Sequence, residues 1–208
     1  MKKFLTYVAM QPSGSLLKLQ YKGVDNDELL CNRKVCFPIS LLVNSFVKEG
    51  EEAEVICMLE ENNSDASRNY QELEREISDI VRDKGVHVHM KTLMVSKEEN
   101  AKAHLDIFSK LVECVENDDE WHVCMTYGTK PVPIIEMMAM NYAYSLKDNV
   151  TMKCAVYGKV NREKNEVKDA VLYDVSALFY MDQLVNNLAS NNIKKPEEVI
   201  RSILNIGD

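Results

Sequence analysis

The chain has 208 residues, 46% of them hydrophobic, with 33 acidic against 25 basic side chains and a formal net charge of −8. That length and composition suit one substantial core, as a single domain or a domain with an appendage, and exclude a disordered chain. The negative total disfavours a broad electrostatic grip on duplex nucleic acid or an anionic membrane, but not a small anion held in a local pocket.

Six cysteines (Cys31, Cys36, Cys57, Cys114, Cys124 and Cys154) occur without a CxxC pair or a matching set of histidine ligands. They read as reduced, mostly core residues. The N-terminal MKKFLTYVAM stops at the polar QPSGS, too short for a signal peptide and far short of a membrane span. The expectation is a cytoplasmic protein.

KFLTYVAM reads as the first strand and QPSGS as its loop. LLKLQYKGVDNDELLCNRKVCF then gives two short stretches around VDND, a hairpin excursion. Phe37-Pro38 starts a helix, PISLLVNSFVKEG, closed by glycine. EAEVICMLE is the next strand, and Ser64 or Asp65 caps a long charged helix running to Lys84-Gly85. In VHVHMKTLMV, Val86, Val88 and Met90 share one face and His87 and His89 the other. KEENAKAHLDIFSKLVECVEN spaces Ala103, Ile107, Leu111 and Cys114 or Val115 as the inner face of a helix.

WHVCMT is a strand and PVPIIEMMAMNYAYSLK an apolar helix. VTMKCAVYG and AVLYDV form a closing pair of strands around a charged loop, KVNREKNEVKD. SALFYMDQLVNNLASNN and a helix begun by KKPEEVIRSILN make a C-terminal tail. Strands alternating with helices predict an α/β fold, a Rossmann-like, mostly parallel sheet flanked by helices. Residues 1–175 make the ligand-binding domain. Residues 176–208 make helices packed on it or forming a partner surface, where Tyr180, Met181, Leu184, Val185 and Leu188 line up as an apolar stripe.

In such a sheet the ligand crevice lies at the carboxyl ends of the strands, where helix N-termini present unpaired N–H groups. Thr126-Tyr127-Gly128-Thr129-Lys130 falls there: glycine allows close backbone approach, threonine offers a hydroxyl and lysine a charge. Pro131 and Pro133 fit a first helical turn. Neither GxGxxG nor GxxxxGK[ST] is present, so this is neither the dinucleotide fingerprint nor a P-loop. Gln11, Ser13, Gly14 and Ser15 after the first strand, and Asn62, Asn63 and Ser64 after another, would open on the same edge. Ordinary turn chemistry accounts for each loop equally well.

The run from EENAKAHLDIFSKLVECVENDDE through WHVCMT and YGTKPVP to IIEMMAMNYAYSLK, with VTMKCAVYG and AVLYDVSALFYMDQL after it, resembles the CRISPR-associated Rossmann-fold (CARF) domains, particularly those of type III CRISPR accessory ribonucleases. The resemblance covers nearly the whole chain. It implies a homodimer whose joined crevices bind cyclic oligoadenylate, tetra-adenylate being the expected ring. Thr126, Gly128, Thr129 and Lys130 match the family's ligand-contacting turn, with Tyr127 between them a further candidate ligand contact, and Ser13 to Ser15 occupy the position of its first ligand loop. Gln11, Asn62 and Asn63 are candidates for the adenine edge. The family commonly has aspartate two residues before the threonine; here that position is Cys124, which removes the carboxylate.

Three readings follow. In the first the domain is a metal-independent ring nuclease: a ribose 2′-OH attacks its own phosphodiester, Lys130 stabilises the added charge, and Ser13, Ser15 or Thr129 orients the hydroxyl. In the second it binds without cutting and relays occupancy to an effector partner through the C-terminal helices. In the third it is an unrelated small-nucleotide α/β enzyme recruiting Glu60, Glu61 or Asp65, which read more simply as loop and cap residues. Arg82 and His87 have the spacing of a ribonuclease Arg-x4-6-His motif, but Gly85 breaks the helix that would hold both. No effector domain, cofactor or metal is expected; His87 and His89 lack companion ligands.

Overall fold

The computed structural model describes residues 1–12, 14–164 and 166–204. They divide into two compact units, Met1–Ser176 and the described residues from Ala177 onward.

The first unit is built on eight strands: β1 (Lys2–Tyr7), β2 (Leu19–Val24), β3 (Lys34–Val35), β4 (Glu52–Glu60), β5 (His87–Val95), β6 (Glu120–Cys124), β7 (Thr151–Glu163) and β8 (Glu166–Asp174). Their order in the sheet is β3-β2-β8-β7-β6-β1-β4-β5. β5, β4, β1, β6 and β7 are parallel neighbours, β8 runs antiparallel to β7, and β2 joins β8 in parallel. Helices α1 (Pro38–Phe46), α2 (Ser64–Lys84), α3 (Ala101–Val112) and α4 (Val132–Leu146) connect the parallel strands, α1 packing on α2 and α3 on α4. The fold is therefore a Rossmann-like α/β sheet. Chain order reverses between β1 and β6, the switch point where such sheets open a crevice.

The two faces of β1 show how the layers form. Phe4 stacks on His122 at 4.5 Å, and His122 also meets Phe46 of α1 at 4.6 Å. The neighbouring Lys3 points the other way, donating to the Cys114 carbonyl beyond α3 and pairing with buried Asp119 at 3.0 Å. Alternation along one strand thus feeds two helix layers. Helix α1 is buried nearly all round. The segment between β2 and β3 covers it, with Asn44 donating to the Leu30 carbonyl and Ser45 accepting from the Leu30 N–H.

Helix α1 has no cap of its own, since Phe37 offers no side-chain oxygen. Glu76 of α2 supplies it: the buried carboxylate accepts from the N–H groups of Cys36 and Phe37 and from the Ser40 hydroxyl. At α2 the cap is Asn63 rather than Ser64 or Asp65, because Ser64 is already helical and the Asn63 side chain reaches the Ala66 N–H at 3.0 Å. Gly85 ends α2 in a left-handed conformation, which leaves Arg82 on the helix and His87 on β5.

Two further expectations are corrected. Helix α1 ends at Phe46, before the expected glycine, because Val47 turns to extended backbone. KVNREKNEVKD is mostly not a loop: apart from Lys164 in the turn, its described residues extend β7 and β8, with Arg162 opposite Val167 and Glu163 opposite Glu166. Antiparallel pairing satisfies their backbone while the charges face outward. All six cysteines are free, five of them buried.

The second unit holds most of α5 (Ser176–Ser190) and α6 (Pro196–Leu204). Val185 and Leu188 of α5 meet Pro196 and Ile200 of α6 around a small apolar cavity. No helix among the described residues is long and apolar enough to cross a membrane.

Candidate functional site

β1 and β6 end side by side, Thr6 opposite Cys124, and the turn from Thr126 to Lys130 leaves the sheet at that point. Thr126 ties the turn down: its hydroxyl accepts the Gly158 N–H of β7 at 2.9 Å and lies 3.2 Å from the Cys124 sulfur. A Cβ on Gly158 would come within 2.9 Å of Pro38 Cγ and 3.1 Å of that hydroxyl, so β7 passes the turn only as glycine. Tyr127 packs edge-on against Phe37 and donates its hydroxyl to the Cys36 carbonyl at 2.8 Å. Both side chains anchor the turn to the core.

Gly128 has φ +103°, and a Cβ there would meet the Tyr7 ring at 3.1 Å and Val132 Cβ at 3.2 Å. The close backbone approach anticipated for this glycine is an approach to Tyr7. Thr129 accepts the Val132 N–H through its carbonyl, and Ile134 and Ile135 donate to the Pro131 carbonyl. Since Pro131 and Pro133 carry no N–H, the first turn of α4 offers few free donors. The N–H groups of Gly128, Thr129 and Lys130 make no hydrogen bond among the described residues. Lys130 is exposed, and its ammonium has no partner among them. The anion-attracting part of the site is the turn itself, three backbone N–H groups and one ammonium, rather than the helix end.

Beside the turn lies a cavity of about 170 Å3. Gln11 and Ser15 of the β1–β2 loop, Thr126 and Tyr127 of the turn, and Tyr21 of β2 and Arg162 of β7 line it. Asn69 of α2 holds the loop, donating to the carbonyls of Ala9 and Gln11 at 2.8 and 2.9 Å. Ser15 closes a turn onto the Pro12 carbonyl. Gly14 lies at a second cavity with Lys18, Arg68 and Arg75, and Ser13 lies outside the described residues. Asn62 is exposed. The Asn63 side chain is committed to the α2 cap and to Glu60 at 2.9 Å. Arg68 holds Asp65. Thus Gln11, Ser15, Thr126 and Tyr127 come together, and Lys130, Thr129 and Gly128 lie in the adjoining turn.

The floor of this region is neutral. Burial pushes the Tyr7 phenol up to about 12, the Cys36 thiol up to about 12 and the Cys124 thiol up to about 11. It also raises Tyr21 and Tyr127. Among the described residues, no histidine or carboxylate lines the cavity. Arg162 is the one cation among the described residues that line it, and Lys130 stands in the adjoining turn. Near the second cavity, Cys36 and a carboxylate oxygen of each of Glu72 and Glu76 lie within 4.8 Å of one another. These are poor metal ligands, for Glu76 is spent on the α1 cap and Glu72 is held by Arg75 at 3.0 Å.

Sequence reasoning missed Tyr21 and Arg162. The alternation Leu19, Tyr21 on one strand and Gly158, Val160, Arg162 on another was the available signal. No family model matches the chain, and no curated protein matches it.

Proposed function

We propose that the protein binds cyclic oligoadenylate as a homodimer, in the manner of the CARF domains of type III CRISPR defence, and cleaves the ring without metal. One observation carries the reading: the Gly128–Lys130 turn, whose three N–H groups and ammonium have no partner among the described residues, stands at the switch point of a Rossmann-like sheet. A ring of phosphodiesters across a twofold axis would meet two such turns. The outer side of α4 supports the pairing. Its one charged residue, Glu136, is buried, while Ile134 and Met138 are 64% and 50% exposed.

In cleavage the ribose 2′-oxygen bonds to phosphorus, the 5′-oxygen leaves with the proton, and a 2′,3′-cyclic phosphate and a 5′-hydroxyl result. Lys130 and the turn N–H groups stabilise charge on the phosphoryl oxygens. Among the described residues, no histidine or carboxylate lines the cavity to act as general base, so slow turnover is expected. The same observation favours the second reading, binding without cleavage.

Incubation with cyclic tri-, tetra- and hexa-adenylate in EDTA, followed by chromatography, separates the readings. Linear products ending in 2′,3′-cyclic phosphate support the nuclease, and intact but tightly bound ring supports the sensor. Absence of binding to every ring overturns both.

A further inference from the structure

Tyr21 is only 3% exposed, and its ring belongs to the main core. Its hydroxyl has no hydrogen-bond partner among the described residues, and the residue lines the cavity beside the turn. A buried phenol normally finds a partner inside the protein, as Tyr127 does with the Cys36 carbonyl. Tyr21 instead lines the space bounded by the β1–β2 loop and β7.

That space has its own chemistry. Leu17, Leu19 and Val160 give it aliphatic walls, and Gln11 brings an amide from the exposed loop. Its volume, about 170 Å3, is well below that of sites holding whole small molecules, about 300–1,000 Å3. It fits one flat group of a larger ligand. A phosphate is a poor occupant, because the Thr126 and Tyr127 hydroxyls are already engaged with Gly158 and Cys36 and the floor is uncharged. Apolar walls with a neutral donor inside and an amide outside suit a heterocycle that stacks on its faces and hydrogen-bonds at its edge. An amide pairs in bidentate fashion with N6 and N7 of adenine.

We propose that this cavity is a subsite for a single nucleobase, held from within by the Tyr21 hydroxyl and at the mouth by the Gln11 amide. Its assignment to adenine rests on the cyclic oligoadenylate reading. The phosphates then lie outside, toward Lys130, so base and backbone are recognised by different elements.

The test uses Tyr21→Phe, which keeps the ring and deletes only a hydroxyl without an internal partner. Its urea midpoint should match the parent's. Gln11→Ala, in the exposed loop, is the second variant. Adenosine binding is followed by ligand-observed NMR and cyclic tetra-adenylate binding by calorimetry. Loss of one ordinary hydrogen bond weakens both about threefold to tenfold in Tyr21→Phe. If the ring binds and neither variant weakens it, the subsite is refuted and the ring-binding reading stands. If adenosine binds through Tyr21 but no ring binds, the subsite stands and that reading falls. If neither ligand binds the parent, both fall.

Discussion

Glu136 offers the sharpest test of the packing. It lies on the inner side of α4, fully buried, and neither carboxylate oxygen has a hydrogen-bond partner among the described residues. Burial raises its pKa well above 4.5, so the folded state keeps a proton that the unfolded chain releases. Even protonated, an unsatisfied buried polar group costs about 1–3 kcal/mol. Above pH 4.5 the folded state binds more protons than the unfolded state, so stability falls as pH rises, until the raised folded value is passed. The slope reaches about 1.4 kcal/mol per pH unit. Glu136→Met, similar in volume, removes both penalties. It should stabilise the protein by at least about 1–3 kcal/mol, or about 2–12 °C in melting temperature, with the gain over the parent growing from pH 6 to pH 8. Urea titrations at pH 6, 7 and 8 followed by the fluorescence of Trp121, the sole and fully buried tryptophan, measure it. A variant less stable than the parent, or a gain independent of pH, would show that the carboxyl has a partner and refute the reasoning.

Glu76→Ala should destabilise by on the order of 3 kcal/mol, because three donors at the start of α1 lose their acceptor; amide exchange should quicken there first. Gly128→Ala should cost about 1–3 kcal/mol in urea titration through its positive φ and the Tyr7 contact, and it should weaken ring binding by moving the turn. Burial lowers the pKa of His122 despite its bond to Glu120 at 2.9 Å. The unfolded chain therefore takes up a proton below about pH 6.5 that the folded state resists. Stability should fall with acidification below that point, by up to about 1.4 kcal/mol per pH unit, and His122→Phe should flatten the profile.

The parallel core was legible because each of its strands is a short apolar run followed by a helix of visible period, as in EAEVICMLE and the charged helix behind it. The turn at Thr126–Lys130 was legible for the same reason, and its glycine and prolines marked where β6 stops. The prolines were misleading in one respect. They signal a helix start and also remove the donors that make a helix start attractive to anions. The engagement of Tyr127 could not be read, since its partner Cys36 is 91 positions away in sequence. Tyr21 and Arg162 reach the cavity through non-local pairings, β2 on β8 and β7 on β8, that composition does not reveal. KVNREKNEVKD read as a loop because its charges hide the Val160 and Arg162 alternation, and only the hairpin partner makes it strand.

Stoichiometry tests the central claim most directly. Native mass spectrometry and calorimetry of the protein with cyclic tetra-adenylate should give one ring per two chains. Lys130→Ala should weaken binding at least about tenfold, as expected for loss of a charge-assisted contact, with an unchanged urea midpoint. One ring per chain, or undiminished binding by Lys130→Ala, would contradict a polyanion held between two switch-point turns.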